Sequence, residues 1–485
     1  MSLLEQAEGY LVGRVTFPVT NYLFNRRNIL SRYDELRRSE WYEPERLREL
    51  QLQKLRQLIA YAYRRVPFYT ERFRAIGLEP DDITSLEDLK RIPPLSRQEV
   101  IDHRHAMMDR ALNESAVFAD RSNRGPGEPI PFAPFRRHRL VRNTSSGSTG
   151  APTVFYEDGS RTALNWALEL RLKNWFGIQP GAREARMVRL STDYMPKSKI
   201  IRLRNRLWNQ LIVPGVNLTD EHYAVCVEKI GAFRPKVLWG FTSALAGLAD
   251  YLRRKGIDPS SWGIQLITGW AAPVYEHERK LLEEVFSCSV SNIYSAREVG
   301  HVAGQCSQGS YHINQEHSLV ERDDDPRDGE DRETGEILVT TLDCSPMPFI
   351  RYRMGDIGKI GASTCGCGRM LPVLQDFLGR TGEIFRTRDG RMISPNFWCR
   401  TFMNVRLSDA IKRFQVIYVS NHSMKIKIVK NGTYTEATER ILRDHLAKNF
   451  PQDMSFEFAY VPEIRPQVSG KYQMVVNEMS EGREV

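Results

Sequence analysis

The sequence predicts an α/β protein with a large N-terminal domain of more than one subdomain and a small α+β domain at its C-terminal end. Three observations carry that reading. A chain of 485 residues is longer than one hydrophobic core supports. From Ala163 to Phe286, helical spacing alternates with short apolar runs, the rhythm of a buried and largely parallel sheet. Beyond Arg380 the pattern becomes strands around a single helix, in roughly a hundred residues, the size of a small independent domain.

The elements follow in order. Leu47, Leu50, Leu52, Leu55, Leu58, Ile59 and Tyr61 recur between charges, so residues from about Glu43 to Phe73 carry helical spacing, within a helical segment over about 1–110. Pro93-Pro94 closes that unit, and the Gly/Pro-rich stretch Asn123 to Pro134 is a loop. Leu140-Val141 ends a strand, and Ala163 to Phe176 is a helix. Ala185 to Leu190, Val237 to Gly240 and Gln265 to Thr268 are the apolar runs of the sheet. A more strand-rich part takes in Ile337 to Thr341, Phe349 to Tyr352 and Ile357 to Ile360. In the small domain, Gln415 to Val419, Lys425 to Val429 and Phe456 to Tyr460 are strands and Thr435 to Asn449 a helix. The predicted division is therefore 1–379 and 380–485, with the boundary near Gly379-Arg380-Thr381.

Composition bounds the function. Hydrophobic residues at 41% and aromatics at 10% belong to a folded chain rather than a disordered one. The net charge of +9 is modest for this length, and about half of it lies in the Arg-rich first 140 residues without an aromatic–basic recognition motif, so no nucleic-acid partner is expected. The first thirty residues interleave apolar side chains (Leu11, Val15, Phe17, Tyr22, Leu23, Phe24) with Arg14, Arg26 and Arg27. Such a segment packs on its own domain, or rests on a membrane surface or a partner. No apolar run reaches the ~18–20 residues of a membrane span, and a cytoplasmic location is the expectation. Seven cysteines without a secretion signal argue against a disulfide framework. A homodimer is compatible with all of this.

The most informative segment is Thr144-Ser145-Ser146-Gly147-Ser148-Thr149-Gly150, followed by Ala151-Pro152-Thr153. Glycines let backbone N–H groups face an anion, and the hydroxyls add donors around it, so the segment is a candidate phosphate cradle on a loop between a strand and a helix. It lacks the Gly-Lys-Ser/Thr ending of a P-loop.

Four further segments stand in register with it: Gly269 to Pro273, Ile293-Tyr294-Ser295-Ala296-Arg297-Glu298, Arg351-Tyr352-Arg353-Met354-Gly355-Asp356 with Leu378-Gly379-Arg380, and Ser469-Gly470-Lys471. Together they resemble the adenylate-forming superfamily, in its phenylacetate–CoA ligase and CapK-like branch, over nearly the whole chain. The resemblance implies an adenylation domain over 1–379 and a mobile domain over 380–485. It implies ATP-dependent conversion of a carboxylate to an acyl-adenylate, then acyl transfer to coenzyme A or to an amine or hydroxyl, with a place in polysaccharide or small-molecule assembly. Ser145 to Gly150 would take the outgoing pyrophosphate, and Glu298 would hold Mg²⁺ through a hard oxygen ligand. Gly269, Trp270 and Tyr294 would line the adenine, Asp356 would accept from both ribose hydroxyls, and Arg380 would contact the nucleotide at the hinge. Lys471 would neutralise the carboxylate and α-phosphate in the first step. The pattern departs from the family at Arg297 (a Thr elsewhere), Ser295 (a Gly) and Gly382-Glu383 (an acidic pair). Arg297 would still serve the α-phosphate as a charged donor of longer reach. These departures motivate a second reading, a catalytically idle scaffold of the same fold that binds a nucleotide or partner.

Cys306, His312, Cys365 and Cys367 form a separate set, since three thiolates and an imidazole make a closed tetrahedral zinc site. Reduced structural thiols are the alternative. The same branch shows a similar Cys…His…Cys-x-Cys arrangement. Cys226, Cys288, Cys344 and Cys399 read as core thiols. The expected cofactors are thus ATP, Mg²⁺, a structural Zn²⁺ and coenzyme A.

Overall fold

The computed structural model describes residues 9–20, 29–111, 119–120, 140–145, 153–188, 199–216, 218–323, 334–343, 345–361, 365–380, 385–386, 392–393, 395–402, 410–464 and 474–479. The chain forms two compact units. The first comprises 1–321, 338–353 and 361–374; the second comprises 322–337, 354–360 and 375–485. The sequence reading cuts the chain once, at 379/380. In this division the segments 322–337 and 354–360 group with 375–485.

The first unit is built on parallel strands. Gln210–Pro214, Glu184–Val188, Val237–Phe241, Leu266–Trp270 and Ser289–Ala296 lie side by side in that order, all parallel. Gly300–Gln305 and then Tyr311–Ile313 continue antiparallel. Strands wrapped on both faces bury every residue, and Glu184–Val188 and Val237–Phe241 are buried throughout. On one face Ala185, Met187, Leu238 and Ile267 pack with Leu245, Leu248, Leu252 and Leu282 of the helices Thr242–Lys255 and Glu276–Phe286. On the other, Ala163, Ala167 and Leu168 of the helix Gly159–Asn174 join Phe17, Tyr33 and Trp208, while Leu172 meets Trp175, Trp239 and Ile293.

Two local readings change in detail. The helical spacing over Glu43–Phe73 is that of two helices, Pro44–Arg65 and Pro67–Ala75. The ring of Pro67 pushes Val66 out of helical geometry, to φ −115° and ψ 103°. Phe349 to Arg351, predicted as strand, is irregular and the strand starts at Tyr352. Arg351 sits at φ 51°, and its guanidinium is committed to Glu321 (3.2 Å) and to the carbonyl of Ile92 (2.6 Å), so burial rather than pairing explains that apolar run.

The second unit carries a four-stranded sheet in the order Ser455–Tyr460, Ser423–Lys430, Ile411–Ser420, Val475–Asn477. The helix Glu436–Asn449 joins the parallel pair Ser423–Lys430 and Ser455–Tyr460. Trp398 and Phe402 of the helix Pro395–Phe402 seal its core, with Phe402 stacked on Phe414 at 4.3 Å and Trp398 donating to Tyr418 Oη at 2.8 Å.

Candidate active site

In a parallel α/β sheet, ligands bind outside the carboxyl ends of the strands, where side chains and freed backbone emerge together. Gly269 and Trp270 end one such strand. Asn292 and Tyr294, then Arg297 and Glu298, emerge from its neighbour. A Cβ on Gly269 would lie 2.8 Å from Thr242 Oγ1 and from Val274 Cγ2, so only glycine fits. The turn after it is held open: Ala271 has φ 71°, and the Ala272 carbonyl accepts from both Thr242 Oγ1 and Asn292 Nδ2 at 3.0 Å. Trp270 stacks on Phe241 at 4.3 Å.

The Ser/Gly segment reaches the same edge. Val141–Thr144 and Val154–Glu157 pair antiparallel, with Thr144 opposite Val154. Ser145 closes the neck: its N–H donates to the Thr153 carbonyl (2.9 Å), and its Oγ accepts from the Thr153 N–H (3.0 Å). Arg297 Nη1 donates to the Thr144 carbonyl at 2.6 Å, which fastens this neck to the segment carrying Glu298. Ser146, Gly147, Ser148, Thr149 and Gly150 lie outside the described residues, as does Lys471; Arg380 ends a strand, and its side chain is likewise outside them. Asp356 lies in the second unit on the strand Tyr352–Gly361, beside Gly355, which has φ +69° and donates its N–H to Glu336 at 3.2 Å.

Sequence reading missed the scaffold behind Glu298. The helix Gly159–Asn174, capped by Asp158 accepting from Ser160 N–H (2.9 Å) and Arg161 N–H (3.2 Å), presents Arg161, Asn165 and Glu169 on one stripe, four residues apart. Each rung holds one point of the segment 298–301. Arg161 Nη2 donates to the Glu298 carbonyl, Asn165 Oδ1 accepts from His301 N–H at 3.2 Å, and Glu169 Oε1 meets His301 Nε2 at 3.3 Å. Between them, Gly300 has φ +78°, and a Cβ there would lie 2.6 Å from Asn165 Oδ1. From the other side His317 Nε2 donates to the Val299 carbonyl (2.9 Å) and Nδ1 faces Asp343 Oδ2 (2.6 Å). Glu298 and Arg161 are buried. Burial pulls the Arg161 guanidinium below the usual arginine range, although Glu157, Asp343, Glu298 and Asp158 push the other way. The legible signal was the i, i+4, i+8 spacing of Arg161, Asn165 and Glu169 among the apolar residues of the helix.

Burial alone would raise the Glu169 carboxyl, but Arg186, His301 and Lys173 outweigh it and hold it far below the usual carboxylate range. A depressed folded-state value means the stabilisation is complete above the ordinary carboxylate range and is lost as pH falls toward the depressed value. Glu169→Gln leaves the buried Arg186 with Glu184 as its remaining carboxylate partner, and the expected loss in urea denaturation at neutral pH is about 3 kcal/mol. The gap to the wild type should narrow as pH drops below about 4.

Cys306, His312, Cys365 and Cys367 do come together: their ligand atoms lie within 4.8 Å of one another, with Cys306 Sγ to Cys365 Sγ at 3.6 Å and Cys367 Sγ to His312 Nε2 at 3.2 Å. Two matching turns make the set. Gly309 N–H donates to the Cys306 carbonyl and Gly368 N–H to the Cys365 carbonyl, each at 3.0 Å, and both glycines have φ near +80° (82° and 79°). The fully buried His312 meets the Leu371 carbonyl through Nδ1 at 3.0 Å, which fixes the tautomer and leaves Nε2 free to bind a metal. The donor set and its geometry fit zinc. The Cys-x-x-Gly repeats, 306–309 and 365–368, were readable in the sequence. Cys226 is an isolated core thiol, and burial pushes it up to about 11.

The fold is that of solved adenylate-forming ligases. The chain superposes on 2-hydroxyisobutyryl-CoA ligase in its postadenylation state with a TM-score of 0.69, at 18% identity and over 90% of each chain. It also superposes on an anthranilate CoA ligase with a TM-score of 0.51, at 14% identity, over 71% of this chain and 68% of that one. Its homologues are phenylacetate-CoA ligases and CapK. It is 29% identical over 357 residues to phenylacetate-coenzyme A ligase of Thermus thermophilus, covering 71% of this chain and 72% of that protein. It is 20% identical over 469 residues to protein CapK of Staphylococcus aureus, covering 92% of each. Residues 385–478 match the family model of the CapK C-terminal domain. Among the described residues no helix is long and apolar enough to cross a membrane.

Proposed function

We propose that the chain is an ATP-dependent acyl-CoA ligase working through an acyl-adenylate. The observation that carries this is the gathering of the Ser145 neck, Gly269, Tyr294, Arg297 and Glu298 at the carboxyl edge of one parallel sheet, in a chain whose homologues are named CoA ligases. A carboxylate resists attack because its leaving group would be oxide. When its oxygen attacks the α-phosphorus of ATP, the P–O bond to pyrophosphate breaks and a mixed anhydride with AMP remains. Attack of the coenzyme A thiolate on the carbonyl carbon then expels AMP.

In this reading, Ser145 through its hydroxyl and Ser146 to Gly150 through N–H and hydroxyl groups supply donors to the departing pyrophosphate, and Gly269 lets the backbone approach the base beside Tyr294. Mg²⁺, when bound, offsets phosphate charge, and Glu298 is the residue that would hold it. Asp356 takes the ribose hydroxyls, Arg380 the nucleotide, and Lys471 the charge that builds on the reacting carboxylate and α-phosphate. Cys306, His312, Cys365 and Cys367 would hold a structural Zn²⁺ bracing the first unit. Phe241 and Trp270 favour an acid with an aromatic or bulky apolar part.

Acid-dependent ATP–pyrophosphate exchange across aryl, fatty and amino acids tests the first half-reaction, and release of AMP with coenzyme A as acceptor tests the second. Exchange is expected with at least one acid, and Lys471→Ala should lower it by roughly 10²–10³-fold. Exchange with every thioester absent would move the acceptor to an amine or hydroxyl. No exchange with any acid leaves the scaffold reading.

A further inference from the structure

Most of the core-forming sequence near the N-terminus is accounted for by packing, but one surface is not. Residues 9–20 form a helical run that, among the described residues, is anchored on one side only. Val12, Gly13, Phe17 and Thr20 are buried. Phe17 meets Trp208 edge-on at 5.0 Å, Thr20 Oγ1 accepts from Trp208 Nε1 at 2.7 Å, and Thr16 Oγ1 donates to the Leu207 carbonyl at 2.8 Å. A Cβ on Gly13 would collide with the Pro180 carbonyl, so the helix sits as close to its support as backbones allow. The opposite side carries Leu11, Val15 and Val19 at four-residue spacing, with Tyr10, and all four are exposed, Tyr10 at 71% and Leu11 at 53%. The adjoining helix Lys199–Leu207 adds Leu203, 56% exposed. Five of the eleven exposed large apolar side chains among the described residues therefore fall on these two touching helices. A fixed helix that shows its apolar stripe to water is inverted relative to ordinary core packing.

The charges around the stripe say what covers it. Arg14, Arg202 and Arg206 are exposed on these two segments, neither of which contains an aspartate or glutamate; on the helix Ile29–Ser39 packed against the run, exposed Asp34 shares the surroundings of Tyr33 with Arg14. We infer that this face is an interfacial docking surface for an anionic lipid bilayer, with Tyr10, Leu11, Val15, Val19 and Leu203 entering the headgroup boundary and the three arginines on the lipid phosphates. Apolar side chains accompanied by an excess of cations match that interface: the alkyl groups leave water, and each guanidinium gains a surface of opposite charge. A second copy of the chain fits less well, because a twofold contact would set the same arginines against each other.

The test is co-sedimentation of the full chain with phosphatidylcholine vesicles, with and without roughly one-third phosphatidylglycerol. Partitioning onto the anionic vesicles should exceed that onto neutral ones by about tenfold or more and fall steeply between about 0.1 and 0.5 M salt. Val15→Glu/Val19→Glu and Arg202→Glu/Arg206→Glu should each lower it by about tenfold or more, whereas Arg253→Glu, on an exposed helix elsewhere, should not. Unfolding midpoints report whether each variant is folded; should the valine pair fail, Leu203→Glu tests the same stripe from the other helix. Equal partitioning onto both vesicle types, or variants that bind like the wild type, would overturn the inference. So would light scattering that shows a dimer which these variants dissolve.

Discussion

Glu298→Gln should lower acid-dependent pyrophosphate exchange by on the order of 10²–10³-fold, since it removes the oxygen charge expected to hold the divalent ion against the phosphates. The physical basis is the segment around it. Glu298 is buried, its carbonyl is taken by Arg161, Val299 is held by His317 and His301 by Asn165 and Glu169, so its carboxylate is held in place rather than left to find the ion. A graded variant separates charge from placement. Asn165→Ala keeps Glu298 but frees the His301 N–H; it should raise the ion concentration for half-maximal exchange by about tenfold, the usual size of an effect transmitted through a ligand's support. Asn165→Asp keeps the acceptor and should recover most of that loss. Mn²⁺ binding with ATP, followed by electron paramagnetic resonance, gives a readout that does not depend on turnover. If Glu298→Gln binds Mn²⁺ with ATP as tightly as the wild type, the assignment of Glu298 is wrong. If only Asn165→Ala is silent, the helix stripe is structural and the assignment stands.

Cys367→Ser should lose close to one zinc per chain and lower the unfolding midpoint by roughly 5 °C, the shift expected for a loss of about 3–5 kcal/mol in a unit of this size. Two glycine-closed turns and a histidine of fixed tautomer converge on one point within 4.8 Å, and without an ion three sulfurs and an imidazole would be packed together with little to hold them. Incubating the wild type with a strong chelator should move its midpoint the same way, and added Zn²⁺ should restore the wild type but not the variant. Cys226→Ala is the control: an isolated core thiol whose loss costs about 1 kcal/mol and leaves the zinc content untouched. Wild-type protein purified without zinc, and indifferent to chelator, would return the four residues to ordinary reduced side chains.

How much of this was readable without coordinates varies by element, for reasons of range. The strands Val237–Phe241 and Leu266–Trp270, the helix Glu436–Asn449 and the alternation that makes the sheet are short-range properties, set by period and by apolar runs, and the sequence reading placed them. The break at Val66-Pro67 was equally local, a steric clash of one ring, and was overlooked inside a strong helical period. Phe349 to Arg351 looked like strand because burial and strand leave the same apolar signature; what distinguishes them is a guanidinium bond to Ile92, more than 250 residues away in the chain.

Composition, hydrophobic period and the spacing of the glycine, serine, cysteine and acidic motifs were determined by the sequence alone, because each is a property of neighbours along the chain. Only the tertiary structure decided that Arg161, Asn165 and Glu169 brace residues 298–301, that Cys306 and Cys365 stand 3.6 Å apart, and that Leu11, Val15 and Val19 face water rather than the core. Those outcomes depend on which faces meet across long loops. That choice is made by the packing of the whole sheet, and no window of sequence contains it.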